Sequence, residues 1–147
     1  MAISIHAIIA DLASNPRKIF LIDGIGAFVT TLLLSTILAP FSNIFGMPQA
    51  TIYLLAAVAF IYTLYSLSCF YFIPKKWQFC LRIILVANTF YCCLTTGFIC
   101  YFYPTLTKFG LIYFLVEIAI MTQLIFIEYQ TIRLSFQNNQ NTKSHEK

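Results

Sequence analysis

The sequence predicts an all-α integral membrane protein, a four-helix up-down bundle with both termini on the cytoplasmic side. Three observations predict it. Only 10% of the 147 residues are charged and the mean hydropathy is +0.82. Soluble domains carry about 25% charged residues, so this chain lacks the charge to cover an aqueous surface. Four apolar runs each approach the roughly 20 residues that cross about 30 Å of hydrocarbon. Lysine and arginine gather on alternate sides of those runs. With most residues committed to spans, residues 1–134 read as a single membrane domain.

The first element, within residues 1–18, is a cytoplasmic amphipathic segment. Ile3, Ile5, Ile8, Ile9 and Leu12 alternate with Ser4, His6 and Asp11, the pattern of a helix lying on the membrane surface. Arg17 and Lys18 follow this short apolar stretch instead of preceding it, so it does not read as a secretory signal. Ser14-Asn15-Pro16 is a helix start, with Ser14 or Asn15 as cap and Pro16 in the first turn, where its missing N–H is no loss.

The first span is expected at about 19–39, closed by Pro40, and the second at about 50–73, between Pro48 and Pro74. The third is expected at about 80–103, before Pro104, and the fourth at about 109–127. Their linkers are too short for anything but antiparallel neighbours. Arg17, Lys18, Lys75, Lys76, Arg82, Arg133, Lys143 and Lys147 fall on one side, and only Lys108 on the other. The positive-inside rule therefore puts both termini in the cytoplasm; the expected location is the cell inner (plasma) membrane. Trp77, Tyr53, Tyr71, Tyr101 and Tyr103 read as interfacial anchors. Residues 135–147 are polar and lack core formers, which predicts a disordered cytoplasmic tail.

Polar residues inside the spans are where function would lie. Glu117 interrupts the run from Gly110 to Met121, about 12 to 15 Å from either end of its span by helical rise. Such a midplane carboxylate must be paired, hydrated or protonated. Asn88, Tyr91, Cys92 and Thr95 share one face of the third span, and Gly110, Tyr113, Glu117 and Met121 share one face of the fourth. A polar seam of Glu117, Asn88, Tyr91, Thr95 and Tyr113 between these two spans is the expected ligand- or ion-binding candidate. Asp23, roughly 6 Å into the first span, and Arg82, a few ångström into the third, stand at one level. With Glu128 they form the expected cytoplasmic-side polar cluster. Gly24, Gly26, Ala27 and Thr30 leave room for close approach of a neighbouring helix.

Several classes are disfavoured. The two histidines, His6 and His145, lie outside the spans, which argues against axial haem ligation and against a histidine metal site in the bundle. No zinc-protease, hydrolase-elbow or phosphate-loop motif occurs, and without a histidine base an intramembrane nucleophile lacks its usual partner. The five cysteines are odd in number and lie in or beside apolar segments, as buried free thiols do. The basic residues are dispersed, unlike a nucleic-acid surface. The expectation is no enzyme, no cofactor and no nucleic acid.

Leu21-Ile22-Asp23-Gly24-Ile25-Gly26, Asn88 with Tyr91-Cys92, and Tyr113-Phe114-Leu115-Val116-Glu117 resemble features of small four-helix bacterial inner-membrane proteins of uncharacterised function. The resemblance covers most of the chain and implies the fold without an activity. Three readings compete. The first is a non-catalytic membrane component with a buried polar seam around Glu117, partnered by lipid, by another membrane protein or by a copy of itself. The second is a small proton- or cation-linked transporter or channel acting as an oligomer. The third is a binder of lipid or quinone head groups.

Overall fold

The computed structural model describes residues 15–72 and 77–145. The expected surface helix of residues 1–13 and the basic pair Lys75 and Lys76 lie outside them. Among the described residues the chain is helical, with four helices long and apolar enough to cross a membrane, at Arg17–Leu38, Gln49–Phe72, Trp77–Tyr101 and Lys108–Leu134. These ranges sit within a few residues of the expected spans except at the last, which runs seven residues further.

Helix α1 is Pro16–Leu33, with Asn15 at its N-cap and Pro16 in its first turn. It continues into a wide π-helical turn, Leu34–Leu38, in which the Ala39 N–H donates to the Leu34 carbonyl at 2.9 Å. Pro40 supplies the reason. Its ring displaces the carbonyl four residues back and it has no N–H to donate, so the last turn opens before the chain leaves the helix. A four-residue helix, α2 (Ser42–Phe45), ends at Gly46 with φ of 76°, a left-handed cap that glycine adopts without Cβ strain. Helices α3 (Gln49–Phe72), α4 (Trp77–Tyr101) and α5 (Lys108–His145) follow.

Helix α5 therefore extends through residues 135–145, where composition suggested a disordered tail. No proline or glycine interrupts the chain after Gly110, and asparagine and glutamine disfavour a helix by only a few tenths of a kcal/mol each. Once α5 is nucleated in the span, extension is a small step.

Each helix buries one stripe with a spacing of three to four residues. In α3 it is Ile52, Leu55, Ala56, Ala59, Thr63, Ser66 and Cys69; in α4, Leu81, Ile84, Asn88, Tyr91, Thr95 and Ile99. The opposite faces expose large apolar side chains such as Phe60, Ile61, Val86, Phe90, Ile112 and Ile120, the pattern expected of lipid-facing helices. Helix α1 packs most closely on α3, and α4 on α5. Asp23 stands beside Ser66, and Ala27 and Thr30 border the same small void as Ala59 and Tyr62. The close approach rests on small residues. A Cβ at Gly24 would lie 3.0 Å from the Leu67 side chain.

The interior divides into two apolar clusters. One contains Leu34, Leu38, Leu55, Tyr91, Phe114 and Met121; the other contains Ile19, Phe20, Cys69, Leu81, Ile84 and Ile132. A layer of buried polar side chains lies between them along every long helix.

At the end remote from that layer, α2 is clasped to the start of α5. The Thr107 N–H donates to the Phe45 carbonyl at 3.2 Å, the Thr107 hydroxyl donates to the Ile44 carbonyl at 2.6 Å, and the Gly110 N–H donates to the Thr107 hydroxyl at 3.2 Å. Thr107 thus caps α5 and ties it to α2 with one side chain.

Candidate functional site

The buried polar groups form two sites. In the first, Tyr91 on α4 donates its hydroxyl to Oε1 of Glu117 on α5 at 2.8 Å. Tyr91 is 1% exposed and Glu117 7%, so the bond is made out of reach of solvent. Tyr62 of α3 packs edge-on against the Tyr91 ring, with centroids 6.4 Å apart, and fixes its direction. The second carboxylate oxygen, Oε2, is buried and meets no hydrogen-bond donor among the described residues.

Glu117 also borders a cavity. A cleft of about 330 Å³ opens between α1 and α5, walled by Val29, Leu33, Ile120 and Leu124 with Gly26 and Thr30 on the α1 side. Tyr113 lines the same cleft and stacks edge-on to Phe45 at 6.3 Å. Gly26 shapes the space by omission, since a Cβ there would meet nothing within 4 Å. Several wall residues, including Val29, Val116 and Ile120, are half-exposed at its rim. The result is an apolar slot with a single carboxylate among its lining residues.

In the second site each long helix contributes one residue: Asp23 from α1, Ser66 from α3, Asn88 from α4 and Glu128 from α5. All four are at most 1% exposed. The Ser66 hydroxyl donates to Asp23 Oδ2. The Asn88 amide nitrogen donates to Asp23 Oδ1 at 2.8 Å and to Glu128 Oε1 at 3.1 Å. One amide therefore serves two carboxyl groups, using both N–H bonds.

The expected seam is divided between these sites. Glu117 and Tyr113 line the cleft, Tyr91 reaches Glu117 from α4, and Thr95 is fully buried one turn along α4 from Tyr91. Asn88 stands with Asp23 and Glu128, not with Glu117. Arg82 is exposed, about 120° around α4 from Asn88 at 100° per residue, while the donors to Asp23 are the neutral Ser66 and Asn88. Ser66 and the cleft escaped the sequence reading. The small-residue stripe Ala56, Ala59, Thr63 and Ser66 at spacings of three and four was the signal for the first. Among the described residues no three histidine, cysteine, aspartate or glutamate side chains gather as a metal site. Comparison with protein-family models, curated proteins and solved structures gave no match.

Proposed function

We propose that this chain is a non-catalytic multi-pass protein of the cell inner membrane that binds a lipid-soluble amine in the cleft between α1 and α5, with Glu117 as the recognising group. The observation that supports this reading is Glu117 in the lining of an apolar cleft, with its Oε2 buried and meeting no donor among the described residues. A glutamate kept only to hold helices together would give both oxygens to neighbouring donors, and a glutamine would do that work at lower desolvation cost. At about 330 Å³ the cleft is at the small end of the range for organic ligands. An ammonium head group complements the carboxylate through a charge-assisted hydrogen bond, and an alkyl or aryl body complements Val29, Leu33, Ile120 and Leu124.

An up-down arrangement with cytoplasmic termini accords with the opposed order of the contacts between α1 and α3 and with the eight-to-one division of lysine and arginine.

The test uses the protein in phosphatidylcholine nanodiscs and a fluorescent long-chain alkylamine, with the alcohol and alkane of equal length as controls. The amine binds most tightly. Glu117→Gln keeps the shape and removes the charge, and a hydrogen bond to a charged group contributes about 1.5–3 kcal/mol, so affinity falls about 10- to 150-fold. Equal amine affinity in both proteins, or a preference for the alkane, would mean that the cleft takes only a lipid chain.

A further inference from the structure

The Asp23–Ser66–Asn88–Glu128 layer has no part in the cleft. Carboxylates carry acceptors only, and a single amide nitrogen stands 2.8 Å from one carboxyl group of this layer and 3.1 Å from the other, so the two oxygens it serves are at most about 6 Å apart. Both accept from the same Asn88 nitrogen. Glu128 Oε2 is buried and meets no donor among the described residues. Two negative charges so close in a water-excluded interior repel strongly unless something positive stands between them.

We infer that Asp23 and Glu128 form an occluded binding site for a single exchangeable proton, shared between the two carboxyl groups. Two features select a proton over a metal cation. Asn88 turns its amide N–H bonds, not its oxygen, toward both carboxyl groups, and Ser66 likewise donates, so the surrounding groups are arranged as donors to carboxyl oxygens and not as a shell of ligand oxygens. The void beside Asp23, Ser66 and Asn88, bounded also by Tyr62 and Tyr65, has a volume of about 10 Å³, at the lower limit for one water molecule. Apolar clusters close the layer on both sides, with Ile19, Phe20, Leu81 and Ile84 toward one end and Tyr91, Phe114 and Met121 toward the other. The proton is thereby held out of contact with both aqueous phases until the helices part. No bond other than O–H is made or broken, and the proton passes between a carboxyl oxygen and water when the layer opens.

Infrared spectroscopy reads this directly, because a protonated carboxyl has a C=O stretch separate from the carboxylate and amide bands. Only five side chains can contribute, Asp11, Asp23, Glu117, Glu128 and Glu146. The experiment uses the full chain carrying Glu117→Gln, which removes the cleft carboxylate and makes the result independent of the amine-binding proposal. At neutral pH this protein shows one acid band that shifts in deuterium oxide. Adding either Asp23→Asn or Glu128→Gln abolishes the band, since each leaves one carboxylate facing an amide donor. Circular dichroism confirms that both variants keep their helix content, and Thr89→Ala, on the exposed face of α4, keeps the band. Absence of the band before either substitution would overturn the inference. So would its survival in one of the two variants, which would locate the proton on a single unshared acid. Loss of the band on adding sodium chloride, but not choline chloride, would equally overturn it by showing a sodium site.

Discussion

Replacing Gly110 with alanine tests the clasp that joins α2 to α5. A Cβ at this position would lie 2.2 Å from the Phe45 carbonyl oxygen, where ordinary contact begins at 3.4 Å. The obstacle is backbone, so no rotamer relieves it. The start of α5 must retreat by on the order of 1 Å, an overpacking that costs about 1–3 kcal/mol. That retreat also stretches the bonds from Thr107 to the Phe45 and Ile44 carbonyls, at about 1 kcal/mol each. Alanine returns about 1 kcal/mol of helix propensity, leaving a net loss of about 2–4 kcal/mol. For a chain of this size that corresponds to a fall in melting temperature of about 6–13 °C. Gly97→Ala is the internal control. A Cβ there meets nothing within 4 Å, and the same propensity gain should raise stability by up to about 1 kcal/mol. Both are measured by thermal melting in one detergent, followed by circular dichroism. If Gly110→Ala melts with or above Gly97→Ala, α2 does not sit against α5 as described and the reasoning fails.

Two further substitutions probe the cleft site. Gly26→Leu places a branched side chain in the space between α1 and α5, which is open at that point; melting temperature should hold or rise by helix propensity, while alkylamine affinity drops at least tenfold. Unchanged affinity would place the ligand elsewhere. Tyr91→Phe retains the ring against Tyr62 and removes the one donor to Glu117 Oε1, so unfolding free energy should fall by about 0.6–2 kcal/mol, the range for interhelical hydrogen bonds in membranes. Thr89→Ala, whose hydroxyl bonds only to the Leu85 carbonyl on the exposed face of the same helix, should stay within about 0.5 kcal/mol of the parent.

The spans were legible because hydrophobic length is a direct physical requirement of the bilayer, and prolines 40, 48 and 104 punctuate the runs. The meeting of Tyr91 with Glu117 was legible as well, since helical spacing put each on the polar face of its own span. The partner of Asn88 was not. Its shared face with Tyr91 grouped Asn88 with Glu117, but a shared face fixes a direction around the helix and says nothing of side-chain reach along it. A tyrosine and a glutamate extend far enough along the axis to bridge different levels, leaving Asn88 to Asp23 and Glu128. Charge complementarity suggested Arg82 for Asp23; yet Asp23 lies on the buried stripe of α1, where the small hydroxyl of Ser66 fits at the close contact with α3. The cleft lies between α1 and α5, a property of packing that no single segment encodes.

The two polar contacts of α4 with α5 also have a consequence for sliding. Asn88 and Tyr91 are three residues apart, while their partners Glu128 and Glu117 are eleven apart in the opposite order. Apolar helix faces in a lipid phase discriminate weakly between axial offsets, because the same oily surface is buried at each. A displacement of one turn, about 5.4 Å, would break both contacts together and strand two carboxyl groups. Tyr91 and Asn88 thus act as two pins in one rod, and they single out one axial offset among many of similar packing energy.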